Sequence, residues 1–128
     1  MIELSKLGER YEDERGFIQN VLEQPCGGVS LIFSRAGTSR SHHYHLSDAH
    51  WLLVLEGEMT YVEKPTGSDE EPSRRTIRQG EMVFTAEMID HSTYFPVDTR
   101  LLSMSRFERT HASHEQDVVR LERPLPIE

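Results

Sequence analysis

Gly37-Thr38-Ser39-Arg40-Ser41-His42-His43-Tyr44-His45-Leu46-Ser47-Asp48-Ala49-His50 is the stretch on which the reading of this chain turns. His43 and His45 stand two apart, and in an extended strand that spacing points both imidazoles to one face. His42 has the opposite parity and is expected to face away from them. A turn after His45 brings His50 back towards the pair. His91, just ahead of the β-forming run Thr93–Phe95, can join them from a neighbouring antiparallel strand. Neutral imidazoles suit Fe, Mn, Ni, Cu or Zn, whereas Mg and Ca prefer oxygen ligands.

Outward from this stretch, the chain reads as short strands separated by turn residues. Arg15–Val21, Val29–Phe33, Trp51–Leu55, Met59–Val62, Thr76–Ile77, Met82–Phe84, Thr93–Phe95 and Leu101–Met104 are each rich in β-formers and bounded by Gly, Pro or Asp. Gly57 between two of these runs predicts a tight hairpin. Such regular punctuation argues for an antiparallel sandwich or barrel and against βαβ units. The polar segment Lys64–Arg75 reads as a solvated hairpin tip. Thr110–Gln116 predicts a short helix or turn, Asp117–Leu121 an extended segment, and Pro124 with Pro126 a loose end.

Composition narrows the function. The chain has 128 residues and a formal net charge of −8, with 36% hydrophobic and 28% charged residues. That is enough for one domain with one core, running over residues 1–128. The longest apolar run, Trp51–Leu55, is far short of the roughly 20 residues of a membrane-spanning helix. The charged N-terminal stretch reads against a secretory leader. An acidic chain without a basic run is a poor partner for nucleic acid. The single cysteine, Cys26, excludes an intrachain disulfide, and with no base beside it in sequence it is a poor nucleophile candidate. These features point to a cytoplasmic protein that binds a small molecule.

The spacing around the histidines resembles that of the cupin superfamily. Gly37, His43-x-His45, His50 and Gly57 follow the first cupin motif, with His50 where the family usually has glutamate. Gly80, Ala86, Met88, His91 and Phe95 follow the second, with Ala86, Met88 and Phe95 replacing proline, glycine and asparagine. The resemblance covers about residues 15–107, leaving 108–128 as a C-terminal segment. It implies an all-β double-stranded β-helix, a jelly-roll barrel with a divalent transition metal held by His43, His45, His50 and His91. It also implies a homodimer, for which Ile2–Leu7 is a plausible exchanged strand.

A second resemblance lies with cupin-type nucleotide-sugar isomerases and epimerases. Asp13-Glu14-Arg15-Gly16 is similar to their Asp-x-Arg-Gly segment, and Arg40-x2-His43-x-His45 to the Arg-Gly-x-His-Ala-His stretch of the ketoisomerases. There the first histidine acts as a base beside a ketone and the arginine neutralises a diphosphate. That branch usually lacks a metal.

The leading expectation is a metal-dependent oxidoreductase, of dioxygenase type, or a lyase acting on a small oxygenated substrate. The alternatives are a nucleotide-sugar isomerase or epimerase and a non-catalytic ligand-binding module. Arg40 and Tyr61 are the candidate substrate-orienting side chains. His111 and His114, outside both motifs, are read as exposed and without function.

Overall fold

The computed structural model describes residues 2–127. Two five-stranded antiparallel sheets face each other in a jelly roll. The first has the order β1 (Leu4–Ser5), β9 (Met82–Thr85), β6 (His50–Glu56), β11 (Thr99–Ser105), β4 (Gly28–Ser34). The second runs β12 (Val118–Arg120), β5 (Thr38–His45), β10 (Ile89–Phe95), β7 (Glu58–Pro65), β8 (Ser73–Arg78). Helix α1 (His111–Asp117) precedes β12, and β2 (Arg10–Asp13) forms a separate two-stranded sheet with β3 (Gly16–Gln19). The fold class expected from the sequence is the one observed.

Strand alternation explains the layers. Val54, Val83 and Leu101 point between the sheets and meet Ile2, Met59, Tyr61, Ile77 and Phe95 in the main core. The intervening residues Leu53, Met82 and Met104 point to the other face of the first sheet, where Leu7, Val21 and Leu22 cover them. The main core fills one end of the barrel and leaves the other end to the histidines. Between β6 and β7, Gly57 adopts φ +100°, and a Cβ there would lie 2.6 Å from the Asp98 carbonyl oxygen. Only glycine fits both demands.

Two segments depart from expectation. The strand expected over Arg15–Val21 is shorter, Gly16–Gln19, and an unforeseen strand β2 precedes it. Asp13–Gly16 makes the turn that folds β2 onto β3, the Asp13 carboxylate accepting from the Arg15 backbone amide at 2.8 Å. Ile2–Leu7, the segment expected to exchange between copies, contributes β1 to its own chain, with Leu4 opposite Val83. The hairpin tip expected within Lys64–Arg75 is shorter, since β7 reaches Pro65 and β8 begins at Ser73. Among the described residues no helix is long and apolar enough to cross a membrane.

A candidate active site lined by histidines

A cavity of about 420 Å³ opens at one end of the barrel, lined among others by His43, His45, His50, His91 and His114, with Arg40, Arg109, Thr85 and Ser103. Strand β5 supplies His43 and His45 by the parity read from the sequence. β10 lies antiparallel beside β5 and sets His91 opposite His43, with ring centroids 4.7 Å apart. His50 opens β6 in the facing sheet, its ring centroid 4.4 Å from that of His45.

Arg40 reaches the same cavity although its parity differs from that of His43. The register between β5 and β10 shifts so that Ser92 faces Ser41, and His42 becomes an extra residue. Ser41 and His42 take the left-handed values φ +71° and +57°. This bulge turns His42 to the opposite face, where its ring nitrogens lie 2.9 Å from Ser92 Oγ and 3.0 Å from Ser39 Oγ. Arg40 is then tied to β4 at the mouth, donating from Nε to Ser34 Oγ (2.7 Å) and from Nη2 to the Phe33 carbonyl (3.0 Å).

The hydrogen-bond partners fix two tautomers. A carbonyl or carboxylate oxygen only accepts, so His91 carries its proton on Nδ1, donating to Ile89 O at 3.0 Å. His45 does the same towards Asp117 Oδ2 at 3.2 Å. Both leave a bare Nε2. Asp117 is itself held, accepting from the backbone amides of Ser47 (2.8 Å) and Asp48 (3.1 Å). His50 Nε2 is buried without a hydrogen-bond partner among the described residues, 3.6 Å from Asp48 Oδ2.

Burial keeps the cluster neutral. Desolvation, reinforced by the neighbouring imidazoles, pushes His43 down to about 2, and desolvation with repulsion from His45 and Arg109 takes His50 to about 2. Burial lowers His91 to about 4, against the pull of its bond to Ile89. His45 is also lowered by burial, but the Asp117 carboxylate opposes the shift through its hydrogen bond and its charge.

Ligand nitrogens from His43, His45 and His91 all lie within 4.8 Å of one another. His50, the fourth expected ligand, is not part of that group. Tyr61 is fully buried behind the wall, its hydroxyl 2.5 Å from Thr85 Oγ1, so Thr85 faces the cavity and Tyr61 does not. His111 and Cys26 are exposed.

His114 corrects the reading that set it aside: it is half-buried, lines the cavity, and accepts a long hydrogen bond at Nδ1 from Arg109 Nε (3.4 Å). The sequence analysis missed Arg109 and Asp117 altogether. The helix runs to Asp117, one residue beyond the expected Thr110–Gln116, and this puts His114 and Asp117 three apart on one face.

No protein-family model matches the sequence, and no curated protein sequence matches it significantly. Solved structures with the same fold are found. The sugar 3,4-ketoisomerase QdtA from Thermoanaerobacterium thermosaccharolyticum, in complex with TDP, superposes with TM-score 0.76 at 15% identity, covering 94% of this chain and 88% of that one. The dTDP-4-dehydrorhamnose 3,5-epimerase from Sulfolobus tokodaii gives 0.68 at 16%, covering 88% and 78%. The 3,5-epimerase RmlC from Legionella pneumophila, in complex with dTDP-4-keto-L-rhamnose, gives 0.69 at 16%, covering 88% and 69%. These neighbours overturn the leading expectation of a metal-dependent dioxygenase, oxidoreductase or lyase. They are nucleotide-sugar isomerases and epimerases, the class that the sequence analysis held as its alternative.

Proposed function

We propose that this chain is a nucleotide-sugar isomerase or epimerase that moves a proton at a carbon beside a ketone. One observation carries the reading. The bare Nε2 of His45, backed by Asp117, belongs to a cavity whose wall holds two guanidinium groups and, among the described residues, no carboxylate, in a chain of net charge −8. Such a wall favours an anionic substrate and an anionic intermediate. His45 is favoured over His43 as the base, because only His45 has a carboxylate to stabilise the imidazolium that forms. At the mouth, Arg40 has N–H groups left over to bind a diphosphate. Asp13 and Arg15, the other residues of this resemblance, pair with each other at 2.7 Å on the β2–β3 hairpin.

In the proposed reaction, His45 Nε2 takes the proton from the carbon next to the carbonyl. The C–H electron pair becomes the C=C bond of an enolate, and the carbonyl π pair moves to oxygen. If a second proton donor on the opposite face supplies that carbon while His45 gives its proton up to solvent, the product is an epimer. If that carbon bears a hydroxyl, the intermediate is an enediolate. Moving the hydroxyl proton to the former ketone oxygen and protonating the adjacent carbon gives the shifted ketone. No redox partner is consumed.

The neutral imidazoles of His43, His45 and His91 also fit a divalent transition ion such as Zn or Fe, which when bound would supply Lewis acidity at a carbonyl oxygen. It would occupy the His45 lone pair that the base needs, so metal and proton transfer compete for one atom. A homodimer belongs to the proposal as well. Val29, Leu31 and Phe33 form an exposed apolar row on edge strand β4, and Tyr11, Phe17 and Ile18 are exposed on the unsupported hairpin.

The test is incubation with TDP-4-keto-6-deoxyglucose in deuterated water. Wild-type protein should place deuterium on a ring carbon beside the ketone, and His45→Asn should slow this by about 10³-fold. Wild-type protein that leaves the sugar unlabelled removes the reading.

A further inference from the structure

We propose that Arg109, held by His114, is the group that stabilises the oxyanion formed in this reaction. The inference rests on the isomerase reading and assigns a residue outside both histidine motifs. Arg109 and His114 come from the C-terminal segment that folds back under the barrel mouth. Thr110 caps α1 by accepting from Ser113 N at 3.1 Å, and the Ser113 hydroxyl accepts in return from Thr110 N at 3.0 Å. This cap sets His114 inward, its ring centroid 5.7 Å from that of His45 and 6.1 Å from that of His43. Its Nδ1 accepts from Arg109 Nε, so the guanidinium is steadied on one side and its terminal N–H groups remain available.

Arg109 is half-buried, and no carboxylate forms an ion pair with it among the described residues. The Asp48 carboxylate acts on it only from beyond ion-pair distance, and a desolvated guanidinium with no direct anionic partner favours a site that binds an anion. The five imidazoles around it are neutral and the cavity wall has no acid among the described residues, so a direct anionic partner is one that the substrate can supply. Arg40 occupies the opposite situation. It is exposed at the rim and bonded to β4, where it can hold a charged handle that does not react. The two cations therefore divide the work. Arg40 binds substrate and transition state alike, whereas Arg109 beside His45 meets charge that appears only as the proton leaves.

In the balanced step, the enolate oxygen gains the former carbonyl π pair and accepts N–H bonds from Arg109, while the proton rests on His45. Nothing else is transferred.

The experiment measures kcat and KM with TDP-4-keto-6-deoxyglucose for wild type, Arg109→Gln, Arg109→Lys, Arg40→Gln, His114→Leu and His114→Gln, each checked for native melting. Arg109→Gln should lower kcat by about 10²-fold with KM within a few-fold, and Arg109→Lys should recover part of it. His114→Leu should lower kcat by about 10-fold and His114→Gln, which keeps an acceptor, should restore it. Arg40→Gln should raise KM instead. An Arg109→Gln protein that keeps kcat and loses only KM overturns this inference and leaves the isomerase reading standing. Wild-type protein without turnover takes down both.

Discussion

The strands that carry the imidazoles and the C-terminal segment that carries their partners are built on different logic. β5, β6 and β10 are long, paired on both sides and locked by register, so His43, His45, His50 and His91 are placed by alternation alone. Residues 106–121 form one short helix with no buried residue and one three-residue edge strand. Yet they supply Arg109, His114 and Asp117, without which the histidines are only a neutral cluster. Position comes from the barrel, and polarity comes from the segment laid against it.

The sharpest way to break this comparison is Asp117→Ala. It removes the acceptor of the His45 Nδ1 proton and of two backbone amides at once. We expect deuterium incorporation to fall by about 10²-fold and stability in urea to drop by about 2 kcal/mol. Unchanged exchange would show that the segment does not polarise the base.

Acid sharpens the other half. His91 binds its proton at about 4 in the folded barrel, against about 6.5 in the unfolded chain. Below pH 6.5 the unfolded state takes up a proton that the native one refuses. Stability is therefore full near neutrality, falls as the pH drops, and levels off below about 4, a loss of about 3 kcal/mol from this residue. Urea titrations between pH 7 and 4 should show a shallower slope for His91→Gln than for wild type. Equal slopes would contradict the burial assigned to this ring.

The smallest effect is expected at the bulge. Ser41 holds φ +71°, a left-handed conformation that costs a side chain more than it costs glycine. Ser41→Gly should stabilise by about 0.5 kcal/mol, read as a rise of a few degrees in Tm. A fall would mean that the Ser41 side chain contributes more than its backbone conformation costs.

These contrasts also show what was legible in the sequence. The parity of His43 and His45, the hairpin glycine at 57 and the short-strand rhythm are local signals, and they pointed to an antiparallel sandwich or barrel; the jelly roll came from the motif resemblance. The bulge was not legible, because nothing in Ser41-His42 announces a left-handed pair. The β2 strand was missed because its residues are all exposed and show no buried face. The chemistry was legible only in part. His91 pairs with His43 through long-range register, which motif spacing anticipated. The approach of Asp117 to His45 depends on where a short helix docks, and composition carries no signal for that. The carboxylate behind His45 suits both a base and a metal ligand, so the histidine spacing by itself does not choose between them.

The most direct test of this account is the protonation state of His45, measured by 15N-edited NMR of the imidazole at neutral pH. The account predicts a neutral ring with its proton on Nδ1, a signature that disappears in Asp117→Ala. A proton on Nε2, or a spectrum indifferent to residue 117, would contradict it.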